Sequence, residues 1–156
     1  MKILIYGSRG WIGSQFKEIL ENQNINYTEG KCRVDNEIEL LEEIETVNPT
    51  HIISFIGRTH GKILDKEYST IDYLEEKGKI FENVRDNLFS PLILADICKK
   101  RDIHFTYLGT GCIFTFDETH PYEQEINGFT EESKPNFFGS GYSTVKGFTD
   151  RLMKIY

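Results

Sequence analysis

The first thirteen residues, Met1-Lys2-Ile3-Leu4-Ile5-Tyr6-Gly7-Ser8-Arg9-Gly10-Trp11-Ile12-Gly13, decide the fold. Residues 2–6 are a short apolar run of the kind that forms buried parallel strands. Glycines follow at once, and residues 11–22 then carry apolar side chains at helical spacing. A strand, a glycine-rich turn and a helix in this order are the context that a dinucleotide-binding fingerprint requires. The stretch therefore predicts an α/β fold that opens with a strand and a crossover helix.

The glycines are spaced G-x-x-G-x-x-G, and each has a mechanical role in such a turn. Gly7 permits the tight turn, Gly10 lets backbone N–H groups approach a pyrophosphate, and Gly13 packs the helix against the strand. The N-terminus of the helix would then face the anion. A glycine-rich turn without a ligand is the alternative.

Length, charge and cysteine content narrow the class of protein. A chain of 156 residues has room for one core and one domain. The net charge of −7 argues against nucleic acid or an anionic membrane as the main partner. No run is long and apolar enough to span a bilayer, and the strand at residue 2 leaves no room for a signal peptide. Three scattered cysteines are too few for a disulfide scaffold or a zinc site, so we expect no metal and a reducing, cytoplasmic location.

The remaining chain alternates between strand and helix patterns. We predict strands over residues 25–28, 51–56 and 103–108, and helices over residues 37–47, capped by Asp35 or Asn36, and 79–100, kinked or broken at Pro91. Residues 62–78 are polar and give no clear pattern. Residues 116–138 are too long for a bare connector, so we expect a functional loop over the site. Together these elements predict a Rossmann-like doubly wound parallel sheet.

Two arginines bear on the choice of cofactor. An NAD-binding chain of this kind usually places an acidic residue about 20 positions after the glycines, where it bonds the ribose 2′-OH. Arg33 stands there instead, with Asp35 close by, and Arg9 adds a cation inside the turn. Two arginines suit a 2′-phosphate, so we favour NADP(H) over NAD(H). Asp35 could still sit near the adenine, and ordinary solvated charge is the alternative for both arginines.

Loops at the carboxyl ends of the parallel strands should border the ligand crevice. Gly57 begins one of them, and Arg58, Thr59 and His60 are substrate or cofactor candidates, although a plain polar loop would look the same. A second such loop carries Thr110, which can donate a hydrogen bond to a carbonyl oxygen. It also carries Cys112, a candidate acid/base if its pKa is tuned, or else a small residue packed at a strand end.

Two further signals lie on predicted helices. Asn87 occupies a core-facing position, where a buried amide needs hydrogen-bonding partners. Near the end of the chain, Tyr142 and Lys146 are four residues apart and so share one helical face. A nearby cation lowers the pKa of a tyrosine, which would suit Tyr142 to proton transfer near neutral pH. A surface Tyr–Lys pair is the alternative, because amphipathic helices often produce this spacing.

The combination resembles an extended short-chain dehydrogenase/reductase of the nucleotide-sugar branch, and most closely the plant and giant-virus nucleotide-rhamnose synthases. The resemblance rests on the glycine turn, Asn87, Thr110 and the Tyr142-x-x-x-Lys146 pair. It is supported by Thr110-Gly-Cys-Ile-Phe, Gly128-Phe-Thr-Glu-Glu, Pro135-Asn-Phe and Ala95-Asp-Ile-Cys98, and it runs across all 156 residues.

The resemblance implies a 3,5-epimerase/4-reductase acting on UDP- or dTDP-linked 4-keto-6-deoxyglucose with NADPH. Tyr142 would protonate the C4 oxygen, Thr110 would bond that oxygen, Lys146 would hold the nicotinamide ribose and tune Tyr142, and Cys112 would serve the epimerisation. Arg9 would contact the 2′-phosphate. The set expected to bind the cofactor is Gly7, Arg9, Gly10, Trp11, Ile12, Gly13, Arg33, Gly57, Asn87, Tyr142 and Lys146.

The chain also departs from the family pattern. Tyr6 replaces the usual threonine before the glycine turn, Ser54-Phe55-Ile56 replaces Asn-Ala-Ala, and Gly141 stands where a bulky residue is common. Members of the family continue well past the Tyr-x-x-x-Lys helix, so we expect residues 1–156 to be the NADP-binding N-terminal portion of a longer enzyme. The second epimerisation acid/base and most of the sugar pocket would then be absent from this chain.

Partners and alternative functions follow from the same resemblance. An upstream 4,6-dehydratase would supply the substrate, and a homodimer could form through residues 83–100 and 143–155. One alternative is a reductase without epimerase activity, which Cys112 argues against. The other is a non-catalytic NADP-binding protein of the same fold, which the presence of Thr110, Tyr142 and Lys146 argues against.

Overall fold

A four-stranded parallel sheet forms the centre of the protein. The computed structural model describes residues 1–122 and 127–156. In chain order the elements are strand β1 (Ile3–Tyr6), helix α1 (Trp11–Asn22), β2 (Tyr27–Glu29), α2 (Glu37–Val47), β3 (His51–Ser54), β4 (Gly61–Ile63), β5 (Lys66–Tyr68), α3 (Asp72–Glu75), α4 (Ile80–Val84), a π-helical turn (Arg85–Phe89), α5 (Ser90–Lys100), β6 (His104–Tyr107), a 3₁₀ turn (Gly111–Ile113) and α6 (Gly141–Met153).

The order of the strands creates the crevice. The sheet runs β2-β1-β3-β6, and all three pairings are parallel. Because β2 lies on one side of β1 and β3 on the other, the order reverses between β1 and β3. Ligands of open α/β sheets bind outside the carboxyl ends of the strands at such a switch point. The predicted doubly wound parallel sheet is confirmed.

Strand β1 is buried on both faces, as its apolar run predicts, whereas His104 and Thr106 of β6 are exposed. Leu4 and Ile52 pack with α2 and α5 on one face, where Leu40, Ile44 and Leu94 complete the largest core cluster. Ile3 and Ile5 point to the other face and pack against Leu20 of α1. Helices therefore cover both faces, which is the arrangement that fixes the loops at the strand ends.

Helices α1 and α2 have the bounds that the sequence predicts. The side chain of Asn36, rather than that of Asp35, caps α2 by accepting the Glu39 N–H at 3.4 Å. Asn48 ends α2 in the left-handed conformation with φ at 48°, directly before Pro49. An asparagine tolerates that conformation better than most residues.

The helix predicted over residues 79–100 is continuous in direction but changes its winding at the π-helical turn. Pro91 has no N–H, so the carbonyl one turn earlier loses its usual donor. That carbonyl belongs to Asn87, and the Thr149 hydroxyl of α6 donates to it at 2.7 Å. Ser90 also donates its hydroxyl to the Arg85 carbonyl at 2.9 Å. The break predicted at Pro91 is therefore wrong, since Pro91 lies in the first turn of α5, directly after the π-helical turn. The Asn87 carbonyl is bonded by the Thr149 side chain, and the Arg85 carbonyl by both the backbone N–H and the hydroxyl of Ser90.

The polar segment that gave no pattern folds into the β4–β5 hairpin and α3. The hairpin is antiparallel and pairs Gly61 with Tyr68. Tyr73 and Leu74 of α3 are buried and pack against Tyr142 of α6. The segment therefore reaches the helix that carries the Tyr-x-x-x-Lys pair.

Candidate active site

The glycine turn leaves no space for side chains at two positions. Gly7 has φ at +76°, and a Cβ built on it would lie 2.8 Å from the carbonyl carbon of Phe55. A Cβ on Gly13 would lie 2.3 Å from the carbonyl oxygen of Gly7. Both contacts are with backbone, which cannot move aside. The turn and the first turn of α1 are therefore in contact through backbone atoms, as a phosphate-binding turn requires.

The N-terminus of α1 opens into a groove of about 380 Å³. Gly10 is the cap residue and has no side chain to bond the first N–H groups of the helix, which lack intrahelical acceptors. The groove is lined by residues 6–10, 30–35 and 55–58, with Asp86 and Ser90. Free N–H groups and the positive end of the helix dipole make this end of the groove suited to a pyrophosphate.

Three arginines gather around one carboxylate in this groove. Asp86 is buried and accepts hydrogen bonds from Arg85 at 2.8 Å, from Arg58 at 3.1 Å and from Arg33 at 3.5 Å. Burial acts to raise the pKa of Asp86, but the bonds from Arg85 and Arg58 hold that pKa below its usual value. Arg33 also pairs with Asp35 at 2.9 Å. Arg58 also pairs with Glu82 at 3.2 Å, so these three arginines are matched by three carboxylates. Over the whole lining of the groove the cationic side chains of Arg9, Lys31, Arg33 and Arg58 outnumber the carboxylates of Asp35 and Asp86.

A carboxylate that the sequence reading missed ends strand β2. Glu29 accepts a hydrogen bond from the Ser8 hydroxyl at 2.5 Å and pairs with the Lys17 ammonium at 3.1 Å. These two partners lower the pKa of Glu29. Glu29 occupies the strand end where an acidic ribose ligand stands in many dinucleotide folds, but both its oxygens bond protein groups. Its place directly after the strand predicted over residues 25–28 was the available signal.

Glu43 of α2 holds the loop that carries Arg33. It accepts the Lys31 backbone N–H at 2.7 Å, the Cys32 thiol at 3.1 Å and the Tyr6 phenol at 2.9 Å. Burial, with the Glu43 carboxylate second, raises the pKa of Cys32 to about 12. Tyr6, which replaces the family's threonine, is thus a hydrogen-bond donor that ties the sheet to this loop.

Asn87 clamps the loop that follows β3. Its side-chain oxygen accepts the Arg58 N–H at 2.9 Å, and its amide nitrogen donates to the Arg58 carbonyl and to Asn83 Oδ1, each at 2.9 Å. Asn87 is 1% exposed and does not line the groove. The buried amide has the partners that its position demands, and through them it fixes the wall formed by Gly57 and Arg58. Direct contact between Asn87 and a cofactor stays a prediction.

Of the other candidate residues in the glycine turn and in the loop after β3, some line the groove and others do not. Arg9 and Gly57 line the groove. Trp11 is 80% exposed and Ile12 is 42% exposed, and neither lines the groove, so their contact with a cofactor stays a prediction. Thr59 and His60 bond each other at 3.2 Å and lie outside the groove.

Three of the predicted catalytic side chains meet at the start of α6. Tyr142 is 6% exposed, and the Thr110 hydroxyl lies close enough to its phenol to act to lower the pKa of Tyr142. Thr110 also caps the 3₁₀ turn by accepting the Cys112 N–H at 3.2 Å. Cys112 is a free, exposed thiol near enough to Tyr142 for its charge to affect the phenol. A hydroxyl, a phenol and a thiol are thus held together, which is a set of groups suited to moving protons at a carbonyl compound.

Lys146 bonds a phenol other than that of Tyr142 in this structure. Its ammonium is hydrogen-bonded to the Tyr107 phenol, at the end of β6, and lies 4.5 Å from the centre of that ring. Burial lowers the pKa of Lys146 to about 8. Burial also raises the pKa of Tyr142, more than the Thr110 hydrogen bond lowers it. The expectation that Lys146 lowers the pKa of Tyr142 is therefore wrong here, because desolvation dominates and the ammonium bonds another phenol.

The expected functional loop is tied together at its two ends. Asn136 accepts the Thr115 N–H at 2.8 Å and donates to the Thr115 carbonyl at 2.9 Å. Within the loop Phe129 stacks on Phe114 and on His120, with ring centres 4.4 Å and 4.1 Å apart. Residues 123–126 of this loop lie outside the described residues. Its functional role stays a prediction.

Comparison with known proteins gives close relatives across the whole chain. A solved structure of a UDP-rhamnose synthase from Acanthamoeba polyphaga mimivirus is 54% identical, with a TM-score of 0.88 over 99% of this chain and 52% of that one. A trifunctional UDP-glucose 4,6-dehydratase/UDP-4-keto-6-deoxy-D-glucose 3,5-epimerase/UDP-4-keto-L-rhamnose-reductase from Arabidopsis thaliana is 38% identical over 156 residues, which are 100% of this chain and 22% of that protein. A bifunctional dTDP-4-dehydrorhamnose 3,5-epimerase/dTDP-4-dehydrorhamnose reductase from the same plant is 39% identical over 98% of this chain and 48% of its own length.

More distant structures share the fold alone. The dTDP-4-dehydrorhamnose reductase of Bacillus anthracis, solved in complex with NADP, is 16% identical, with a TM-score of 0.73 over 97% of this chain and 48% of that one. No protein-family model matches the chain. The chain spans about half the length of the mimivirus relative. With the glycine turn, the Thr110–Cys112–Tyr142 group and relatives aligned from end to end, the chain belongs to the extended short-chain dehydrogenases/reductases of the nucleotide-rhamnose synthase type.

Proposed function

We propose that this protein takes part in the 3,5-epimerisation and 4-reduction of UDP- or dTDP-linked 4-keto-6-deoxyglucose to the L-rhamnose nucleotide. The observation that carries the proposal is the meeting of Thr110, Cys112 and Tyr142 beside a dinucleotide-type groove. The relatives named for both activities align with the whole chain. A 4,6-dehydratase would supply the substrate.

The side chains have distinct roles in this proposal. The C4 ketone acidifies the protons at C3 and C5, and the Cys112 thiol would be one member of the acid/base pair that removes a proton on one face of each centre and returns one on the other. The Tyr142 phenol then gives its proton to the C4 oxygen, which Thr110 holds by a hydrogen bond. Its raised pKa keeps Tyr142 protonated, as an acid must be. Lys146 leaves Tyr107 to bind the nicotinamide ribose. When bound, the reduced nicotinamide supplies the hydride.

The groove favours NADP(H) over NAD(H) in this proposal. Arg33 and Arg9 line the end where the adenosine ribose of a dinucleotide would lie. Glu29, which could otherwise bond a free 2′-OH, is engaged by Ser8 and Lys17. Cationic side chains and no free carboxylate at the ribose suit a 2′-phosphate.

The deciding experiment uses the protein at its natural length. It is mixed with UDP-4-keto-6-deoxyglucose and NADPH in deuterated water, NADPH absorbance is followed, and the product is examined by NMR. We expect a rhamnose nucleotide with deuterium at C3 and C5. Oxidation of NADPH that gives only a non-inverted sugar would leave a reductase. No oxidation with either the UDP or the dTDP sugar would contradict the proposal.

A cysteine variant separates the two activities. Cys112→Ser should abolish deuterium incorporation while the protein still binds NADPH, since Cys112 does not line the groove. NADPH binding is measured by the fluorescence of the reduced nicotinamide. Unchanged overall conversion by Cys112→Ser would favour the reductase that lacks epimerase activity.

A further inference from the structure

The first turn of α6 is capped by a carboxylate from a distant part of the chain. Glu75 accepts the Gly141 N–H at 2.8 Å and the Tyr142 N–H at 3.0 Å, one on each oxygen. The next N–H, of Ser143, is bonded by the Ser140 hydroxyl at 3.0 Å. Glu75 is the last residue of α3 and lies 66 residues before Gly141. A negative charge at this position also opposes the positive end of the helix dipole.

Gly141 is the residue that admits this carboxylate. A Cβ built on Gly141 would lie 3.3 Å from Glu75 Oε2 and 3.4 Å from Oε1. These separations are at the short end of van der Waals contact, so a Cβ at this position would require the carboxylate to shift by a few tenths of an ångström. The close approach of the Glu75 carboxylate therefore offers an explanation for glycine at position 141, where a bulky residue is common in the family.

The same short helix supports the ring of Tyr142. Tyr73 and Leu74, directly before Glu75, are 4% and 3% exposed and form one buried cluster with Tyr142. Helix α3 thus contacts Tyr142 twice, at its backbone through Glu75 and at its ring through this cluster. A side chain fixed at both ends has little freedom to change its position relative to Thr110.

We propose that Glu75 is a positioning residue for Tyr142, and that it fixes the start of α6 so that the phenol meets Thr110 and Cys112. The inference rests on the proposed function, because it assigns Tyr142 the proton transfer. It adds a role for the segment before α4, which the sequence pattern did not predict. Glu75 itself need not touch substrate or cofactor.

The test compares Glu75→Ala with Glu75→Gln and with Glu67→Ala, which removes an exposed carboxylate from β5 of the same segment. In Glu75→Ala we expect kcat to fall by at least about tenfold, because small displacements of a reacting group are costly. The Kd for NADPH should change by less than about twofold, since Glu75 does not line the groove. Glu75→Gln keeps one acceptor oxygen and should recover part of kcat. Glu67→Ala should match the wild type.

Amide hydrogen exchange supplies a readout that needs no turnover. In Glu75→Ala the Gly141 and Tyr142 amides should exchange at least about tenfold faster, while amides in the middle of α6 stay protected. Unchanged exchange at these two amides would overturn the proposal, even if the wild-type protein turned over neither sugar nucleotide. Faster exchange with an unchanged kcat, or an equal loss of kcat in Glu67→Ala, would also overturn it. An inactive wild-type protein would contradict the proposed function separately.

Discussion

Thr110 serves two groups with one hydroxyl. It accepts the Cys112 N–H at 3.2 Å, and its proximity to the Tyr142 phenol acts to lower the pKa of that phenol against the larger effect of burial. In Thr110→Val the pKa of Tyr142 should therefore rise further, because burial remains and the hydrogen bond is lost. The pKa is measured by NMR of the protein labelled with ¹³C at the tyrosine ring.

Tyr142→Phe identifies the resonance in that experiment by removing it. A Tyr142 pKa that stays the same or falls in Thr110→Val would show that the hydroxyl does not bond the phenol. The variant should also lose reductase activity, because the C4 oxygen would lack the Thr110 hydrogen bond.

Lys146 makes the stability of the cofactor-free protein depend on pH. Burial lowers its pKa from 10.5 to about 8 in the folded protein. The unfolded chain therefore binds more protons between these values, so the contribution of Lys146 to the free energy of unfolding rises with pH across that window. Below it the buried charge costs on the order of 3 kcal/mol. The lysine is thus retained at a cost in stability, as functional groups often are.

The comparison that isolates this contribution is with Lys146→Met. Urea denaturation of both proteins at about pH 7 and about pH 10 gives the free energy of unfolding of each. Between those pH values the wild type should gain stability relative to the variant. If the free energies of unfolding of the two proteins differed by the same amount at both pH values, the lowered pKa of the buried Lys146 would be contradicted.

At the scale of elements, the contact between α6 and the π-helical turn depends on one hydroxyl. Thr149 is fully buried and donates to the Asn87 carbonyl, which Pro91 deprives of its usual donor. Thr149→Val preserves the shape of the side chain but leaves that carbonyl unpaired. We expect a loss of about 1–3 kcal/mol in the free energy of unfolding.

Thermal or urea denaturation measures that loss. Thr106→Val, at an exposed position on β6, makes the same chemical change and should alter stability by less than about 0.5 kcal/mol. Equal effects of the two substitutions would show that the Asn87 carbonyl is satisfied without Thr149.

Elements with a complete local signal were predictable from the sequence. The glycine turn fixes the start of α1, and Asn36 and Asn48 fix the two ends of α2. Strand β2 begins two residues later than predicted, because Asn24 turns the chain with φ at 54° and Ile25 still bonds the Leu20 carbonyl. The hairpin and α3 are too short for periodicity and depend on packing against Tyr142.

Some residues of the candidate site could be predicted from the sequence, and others could not. Thr110 and Cys112 could be placed from the rule that loops at strand carboxyl ends meet at the crevice. The hydrogen-bond partner of Lys146 could not be predicted from the sequence, because the direction of a long side chain depends on which buried acceptor lies within reach. In this structure that acceptor is the Tyr107 phenol. Glu75 and Asp86 were missed for a similar reason. Their partners are 66 and up to 53 residues away in the chain.

At the scale of the whole molecule, net charge and groove charge have opposite signs. The chain carries −7 overall, whereas Arg9, Arg33 and Arg58 line the groove. The Kd for NADPH should therefore rise with salt more steeply than that for NADH, because NADPH carries a 2′-phosphate in addition to the pyrophosphate that the two cofactors share. Fluorescence titrations at about 50 mM and about 500 mM NaCl measure both values.

Arg33→Gln provides the matched variant for that measurement. It should weaken NADPH binding by about tenfold at low salt, leave NADH binding nearly unchanged, and reduce the difference in salt dependence. Equal weakening of both cofactors would mean that Arg33 shapes the loop rather than binding a phosphate.

The hydrogen bonds of Asn87 within the protein are enough to restrict which residue can occupy this position. Its amide accepts one backbone N–H and donates to the carbonyl of the same residue, Arg58, just as one strand bonds its neighbour. Aspartate could not donate, leucine could do neither, and glutamine is one methylene too long for the space. In a library of all single substitutions, position 87 should therefore tolerate almost nothing, while exposed Trp11 at the rim of the glycine turn accepts many replacements. The residues tolerated at position 87 would then be determined by the geometry of its two hydrogen bonds with the Arg58 backbone.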